Sequence, residues 1–385
     1  MIRLARPLFD DRDLTRLQDV LTTGQLIQGP WVEAFEAAVA DWLGGTHQVI
    51  ACQSGTAALH LAMLALGLQP GDEVIVPAFT WPTTAHAVVH AGGIPVFVDV
   101  DADSLCWDPE AVRRAMSPRT RALLPVHLFG CAAPLDEALA LVDAAPRPCI
   151  VEDAACALGT TAPGRAGQAG TWGAIGCFSL HPRKIITTGE GGLLTTADPA
   201  IADRLRALRN HGLRSGPQGL TFTDMGLNLR MPALSGALGV GQMERLPQIL
   251  QSRAHLAACW LNALHDQPGI RIPTSMRAAG TVHQSFVVEL LAPRGDDTPL
   301  PVLRQQLIER LRAAGMETTF GTWDVPSQPV WQTVRHRVAG GHGTSLRLFE
   351  GLLALPLHPA MNDADVAQGA SLLRAHWPPP GSPDA

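Results

Sequence analysis

The sequence predicts an α/β protein with a large domain on a mainly parallel sheet, flanked by helices, and a smaller α+β domain after it. Three observations carry this. From about residue 47 to about residue 200, short apolar runs alternate with stretches of helical periodicity. Beyond about residue 270 that alternation gives way to isolated strands and longer helices. The length, 385 residues, suits one large and one smaller unit. The expected division is 1–250 for the large domain with its N-terminal segment and 251–377 for the small one. The Pro-rich tail 378–385 is expected to be disordered.

Taken in order, HQVIAC (47–52) reads as a strand and SGTAALHLAMLALG (54–67) as a helix. DEVIVP (72–77) is a strand, TTAHAVVHAG (83–92) a helix and PVFVDV (95–100) a strand. PEAVRRAM (109–116) is a helix, RALLPVHLF (121–129) a strand, PLDEALALVDAA (134–145) a helix and PCIVED (148–153) a strand. The spacing leaves room for a helix between successive strands, which is what parallel pairing requires. AIGCFSL and GLLTTA are shorter strands, and PAIADRLRALRNHG (199–212) is a helix stopped by Gly212. GPQGLTFTDMG (216–226) reads as a loop, and helical patterns return over 232–267. In the last part, HQSFVVEL (283–290) is a strand. VLRQQLIERLRAAG (302–315), TSLRLFEGLLAL (344–355) and DADVAQGASLLRAHW (363–377) are helices.

Composition narrows the function. With 46% hydrophobic and 17% charged residues the chain can bury a substantial core. A net charge of −6 gives no basic footprint for nucleic acid. No apolar run is long enough to span a bilayer, and MIRLARPLFDDRDL lacks a signal-peptide core. The seven cysteines are scattered without a C-x-x-C pair, so neither a zinc site nor a disulfide framework is expected, and a cytoplasmic home is the simplest.

Lys184 is the only lysine among 29 Lys+Arg, and tyrosine is absent. Both have AT-rich codons, and a GC-rich genome depletes both. A lysine that persists marks a place where arginine will not serve, because an amine can lose its proton and attack a carbonyl while guanidinium cannot. The alternative is chance survival on the surface.

Other residues offer matching parts. Ser54-Gly55-Thr56 opens a helix after a strand, which suits an anion on free backbone amides, although Ser and Thr are also ordinary N-caps. The dinucleotide fingerprint G-x-G-x-x-G is missing there. Asp153 ends a strand where open sheets bind ligands and could pair with a protonated ring nitrogen, or simply cap the next turn. Ser179 stands just before Lys184 and could hold a phosphate beside an imine. Trp81, at another strand end, could stack on a flat ring or act as a core lid. Together these are the parts of a pyridoxal-phosphate site.

The chain resembles the DegT/StrS-type sugar aminotransferases, which have the aspartate-aminotransferase fold (fold type I of pyridoxal-phosphate enzymes). The motifs that carry the resemblance include GQLIQGPWVEAFEAAVADWLG, SGTAALHLAMLALGLQPGDEVIVPAFTWPTTAHAVVHAGGIPVFVDVD, VEDAACALG, FSLHPRKIITTGEGG, GLNLRMPALSGALGVGQMERL and ALPLHPAMNDADV. The resemblance implies that Lys184 carries the cofactor as a Schiff base and shuttles a proton. It implies that Asp153 partners the ring nitrogen, that Gly55, Thr56 and Ser179 form the phosphate cup, and that Trp81 stacks on the ring. Asn228 would reach the cofactor phosphate of a neighbouring subunit, which implies a homodimer with shared sites. His181 falls where some members carry a histidine near the substrate. No metal is implied.

Two departures stand out. Cys156 replaces the Gln or His that such proteins usually carry three positions after the aspartate, against the cofactor ring. Asp324-Val325-Pro326 stands where a substrate-binding His-Tyr-Pro segment is common, which makes Asp324 a candidate substrate contact. Relatives that dehydrate instead of transaminating carry His in place of the lysine, and Lys184 points away from that branch. The expected reaction moves an amino group from an amino acid, L-glutamate, to a nucleotide-linked keto-sugar. A keto-cyclitol or other cyclic ketone of secondary metabolism is the alternative acceptor, and a non-catalytic cofactor-binding sensor the third reading.

Overall fold

A computed structural model describes residues 1–377 apart from 142–146, 218, 294 and 296. The expected tail 378–385 and the end of the helix read at 134–145 lie outside the described residues.

Eight strands form the large sheet. Their order is Gln48–Cys52, Gly192–Thr196, Ile175–Ser179, Cys149–Asp153, Thr120–Leu123, Glu73–Pro77, Ile94–Val98 and Arg337–Ala339. Every pairing is parallel except the two made by Gly192–Thr196. The strands are almost wholly buried, as a sheet covered on both faces requires. On one side pack the helices Gly55–Leu66, Thr83–His90 and Pro199–Arg209, through Leu59, Leu61, Ala85, Val88 and Leu205. Other cores are built by the helix Pro30–Trp42 through Val32, Phe35 and Val39, and by Pro109–Ala115 through Ala111 and Val112.

The 31-residue helix Ala233–Ala263 leads out of this unit. It runs through Pro247 and carries Trp260 into a second core with Phe286, Leu307, Leu353 and Trp377. That core lies under an antiparallel sheet of four strands, ordered Ile270–Arg271, Phe286–Leu290, Leu352–Leu355 and Thr319–Phe320. The helices Leu300–Ala313, Gly343–Gly351 and Asp363–His376 contribute to it. Two segments tie the units together: Arg337–Ala339 at the edge of the large sheet, and Trp323–Asp324 paired with Phe79–Thr80. Among the described residues no helix is long and apolar enough to cross a membrane.

Three expected elements differ. The strand read at 121–129 stops at Leu123, because Pro125 has no N–H to offer; pairing resumes only as the single bridge Val126–Asp153. The loop read at 216–226 contains an antiparallel pair, Leu213–Gly216 with Gly219–Phe222. Both faces of Gly219–Phe222 are exposed, so no alternation of apolar and polar residues announces it. The helix read at 344–355 ends at Gly351, and Leu352–Leu355 is a buried central strand. A short run of leucines carries no period that separates helix from buried strand.

Candidate active site

The site forms at the ends of the strands Cys149–Asp153, Ile175–Ser179 and Gln48–Cys52, where the chain leaves the sheet. Asp153 is buried there. Its Oδ2 accepts from the Thr84 hydroxyl at 2.7 Å and its Oδ1 from the Ala155 N–H at 3.1 Å. Burial pushes its carboxyl above the usual carboxylate range, while the Thr84 and Ala155 hydrogen bonds and the Lys184 charge act against that rise. A second buried hydroxyl, Thr80, lies 3.2 Å from that of Thr84.

Lys184 follows the strand Ile175–Ser179 in a turn closed by its own N–H donating to the His181 carbonyl at 2.8 Å. Gln284 holds the turn by donating to the Arg183 carbonyl at 2.7 Å. The Lys184 amine lies 3.1 Å from the Cys156 thiol. The His181 ring accepts from the Arg183 N–H at 3.3 Å through Nδ1, and burial pushes its pKa down.

Gly55 and Ser179 meet at close range. A Cβ on Gly55 would stand 2.7 Å from the Ser179 Cβ and 3.0 Å from its hydroxyl, so only glycine lets the helix start beside that side chain. Gly192 is pressed in the same way, since its Cβ would stand 2.2 Å from the Ser54 carbonyl oxygen. Ser54 caps the helix by accepting from the Ala57 N–H, which leaves the amides of Gly55 and Thr56 at its mouth. Thr56 is exposed. The Gly55 and Thr56 amides stand at the positive end of this helix, and the Ser179 side chain lies beside Gly55.

Trp81 is 59% exposed and precedes the helix Thr83–His90 that supplies Thr84. Asn228 is exposed on a segment whose Leu229 carbonyl accepts from the Gln53 N–H at 3.1 Å. Asp324 is placed differently. It is fully buried, and its carboxylate accepts from Ser327, from Ser345 at 2.5 Å and from His342 Nδ1 at 3.0 Å. Its polar capacity is taken up inside the protein.

The geometry adds residues that the sequence reading does not name. Glu152 and His127 are buried beside Asp153. Glu152 accepts from His127 Nε2 at 2.9 Å and from the N–H groups of Gly170, Trp172 and Gly173 at 2.8, 2.7 and 2.6 Å. Burial opposes ionisation of Glu152, but the His127 bond and the backbone N–H groups hold its carboxyl below the usual value. His127 Nδ1 accepts from the Ala133 N–H, so the proton given to Glu152 is on Nε2. A second carboxylate next to Asp153 at the end of a buried strand is the one sequence signal that could have drawn attention to Glu152.

An open α/β sheet with a phosphate-ready helix mouth, a buried carboxylate and an amine defines the class: a fold type I, pyridoxal-phosphate-dependent aminotransferase. Its parts fit the cofactor, since the Gly55–Ser179 contact makes a cradle that a Cβ would fill. The description DegT/DnrJ/EryC1/StrS aminotransferase family matches residues 7–374, and the chain belongs to that family. It is 33% identical over 374 residues to the GDP-perosamine synthase of Caulobacter vibrioides, covering 95% of each chain. It is 34% identical over 378 residues to the UDP-4-amino-4-deoxy-L-arabinose–oxoglutarate aminotransferase of Shewanella sediminis, covering 94% of this chain and 95% of that one. Among solved structures it is similar to the E. coli GDP-4-keto-6-deoxy-D-mannose-3-dehydratase with bound hydrated PLP. There the TM-score is 0.88 at 26% identity, over 97% of this chain and 99% of that one.

Proposed function

We propose that this protein moves the amino group of L-glutamate to a nucleotide-linked keto-sugar, with Lys184 and Asp153 as its catalytic residues. The observation that carries the proposal is the amine of the only lysine, set beside Cys156 and near the buried carboxylate of Asp153. Both curated relatives carry a nucleoside-diphosphate sugar in their names, and one also names oxoglutarate, the keto acid that glutamate becomes on losing its amine.

Pyridoxal phosphate, when bound, supplies an electron sink for the substrate carbon. Lys184 would hold it covalently through Nζ, and Asp153 would keep its ring nitrogen protonated. Thr84 and the Ala155 amide fix the carboxylate that does so. Gly55, Thr56 and Ser179 would bind the phosphate, Trp81 one ring face, and Cys156 would lie against the ring. Lys184 Nζ would take up the proton of the donor's α-carbon and hand it on, the acid–base role its amine can serve. His181, half-buried at the same turn, would contact substrate. Asp324, tied up in the interior, would support the wall behind Phe79–Thr80 and not touch substrate directly.

The working assembly in this reading is a homodimer with shared sites. Its support is the exposed Asn228 near Gln53, together with the exposed apolar side chains Leu220, Phe222 and Met225 on the adjoining hairpin and loop. The large domain comprises 1–250 and the small one 251–377, with Arg337–Ala339 lent back to the large sheet.

The test mixes cofactor-loaded protein with L-glutamate and follows cofactor absorbance and oxoglutarate release. Conversion to the amine form is expected, and Lys184→Ala abolishes it. No conversion in the wild type, or turnover in Lys184→Ala, would refute the proposal. The amine form is then offered nucleotide-linked keto-sugars and keto-cyclitols; use of the cyclitols alone would reassign the acceptor.

A further inference from the structure

Away from this site, one set of His, Cys and Asp side chains among the described residues brings three potential ligand atoms within 4.8 Å of one another: His255, Cys259 and Asp363. His255 and Cys259 are four residues apart on the helix Ala233–Ala263, so they stand on one face a turn apart. Asp363 opens the helix Asp363–His376, which packs against the first. His255 Nε2 lies 2.6 Å from Asp363 Oδ1, and the Cys259 sulfur lies 3.7 Å from that same nitrogen.

Around tetrahedral zinc, with Zn–S of about 2.3 Å and Zn–N of about 2.0 Å, neighbouring ligand atoms stand about 3.3–3.6 Å apart. The Cys259–His255 separation is already close to that. The Asp363–His255 pair needs to open by somewhat under an ångström, and both side chains are exposed and free to turn. The exposed His–Asp pair accounts for the shorter contact, and the i, i+4 spacing brings the thiol to the same ring nitrogen as a third donor. Binding would displace the Cys259 thiol proton to solvent. One thiolate, one imidazole and one carboxylate match zinc and its neighbours, and a sulfur ligand disfavours magnesium and calcium.

We propose that His255, Cys259 and Asp363 form a surface site for a zinc-class divalent transition-metal ion, with water at the fourth position. The ion would bridge the end of the Ala233–Ala263 helix to the helix Asp363–His376. It shares no residue with the Lys184 site and does not depend on the proposed reaction.

The experiment titrates the full-length, cofactor-loaded protein with Co²⁺ and reads thiolate-to-cobalt absorbance in difference spectra, then adds Zn²⁺. A saturable band at one ion per chain, displaced by zinc and not by calcium, is expected. Cys259→Ser should abolish the band. His255→Ala and Asp363→Asn should weaken binding by at least about tenfold, the upper part of the range seen even for outer-shell changes being a hundredfold. Cys156→Ser should leave the band in place, which separates it from the thiol beside Lys184. Unchanged circular dichroism of each variant verifies folding. No saturable band in the wild type, or a band that survives in Cys259→Ser, would overturn the proposal.

Discussion

Replacing Thr84 by valine keeps the shape of the side chain and removes one hydroxyl. That hydroxyl donates to Asp153 Oδ2 at 2.7 Å, inside a site that water does not reach. A hydrogen bond to a charged acceptor contributes about 1.5–3 kcal/mol. At about 1.4 kcal/mol per decade, the variant should lose roughly ten- to a hundredfold in the rate of the glutamate half-reaction. The pH profile should move as well. Burial already holds the Asp153 carboxyl high, and Thr84 is first among the groups that act against it. The useful ionised form exists above that pKa and is lost as pH falls through it. Removing Thr84 raises the value further, so the acid limb of the rate should shift to higher pH. The assay is stopped-flow absorbance with L-glutamate across a pH series, with Thr84→Ser as the variant that keeps the hydroxyl. Thr80 loses its 3.2 Å partner in Thr84→Val, so denaturation curves are needed to separate lost stability from lost rate. An unchanged rate and an unmoved acid limb in a folded Thr84→Val protein would show that the hydrogen bond does not tune Asp153.

Gly55→Ala places a Cβ 2.7 Å from that of Ser179; about 1–3 kcal/mol of stability should go, with weaker cofactor binding, read by denaturation and cofactor titration. Glu152→Gln turns one acceptor oxygen into a donor facing either the His127 and Gly170 N–H groups or those of Trp172 and Gly173, and should cost about 1.5–3 kcal/mol in urea unfolding. Because the folded Glu152 pKa is depressed, its contribution is present above the ordinary carboxylate value and is lost as pH falls through the folded one. The gap between wild type and Glu152→Gln should therefore narrow on acidification. Asp324→Asn disturbs bonds from Ser327, Ser345 and His342, so unfolding should shift by about 1.5–3 kcal/mol while acceptor KM changes little. A large KM change without loss of stability would make Asp324 a substrate contact.

Most of the large sheet is legible in the sequence because each strand there is a short apolar run with its own helix after it. Lys184 is legible for a different reason: its rarity, which no fold is needed to see. Asp153 and Gly55 can be singled out only as strand-end and helix-start residues, with ordinary capping, by Asp153 itself and by Ser54 or Thr56 beside Gly55, as the rival reading. Thr84 and His127 give no such sign. Thr84 stands 69 residues before Asp153 and His127 25 residues before Glu152, and nothing in a threonine within TTAHAVVH marks it as the partner of a distant carboxylate. The exposed strand Gly219–Phe222 and the strand Leu352–Leu355 are hidden for the opposite reasons that one has no buried face and the other two.

By itself, then, the sequence determined the alternation of strands and helices, the place of the single lysine and the family pattern around it, because these depend on residue types and their local spacing. The tertiary structure decided what those residues face. Burial of Asp153 beside Thr84, the approach of Lys184 to Cys156, and the enclosure of Asp324 by Ser327, Ser345 and His342 are set by how strands, helices and loops pack. A side chain's charge state and reach are set by whatever packs against it, and those neighbours come from elsewhere in the chain.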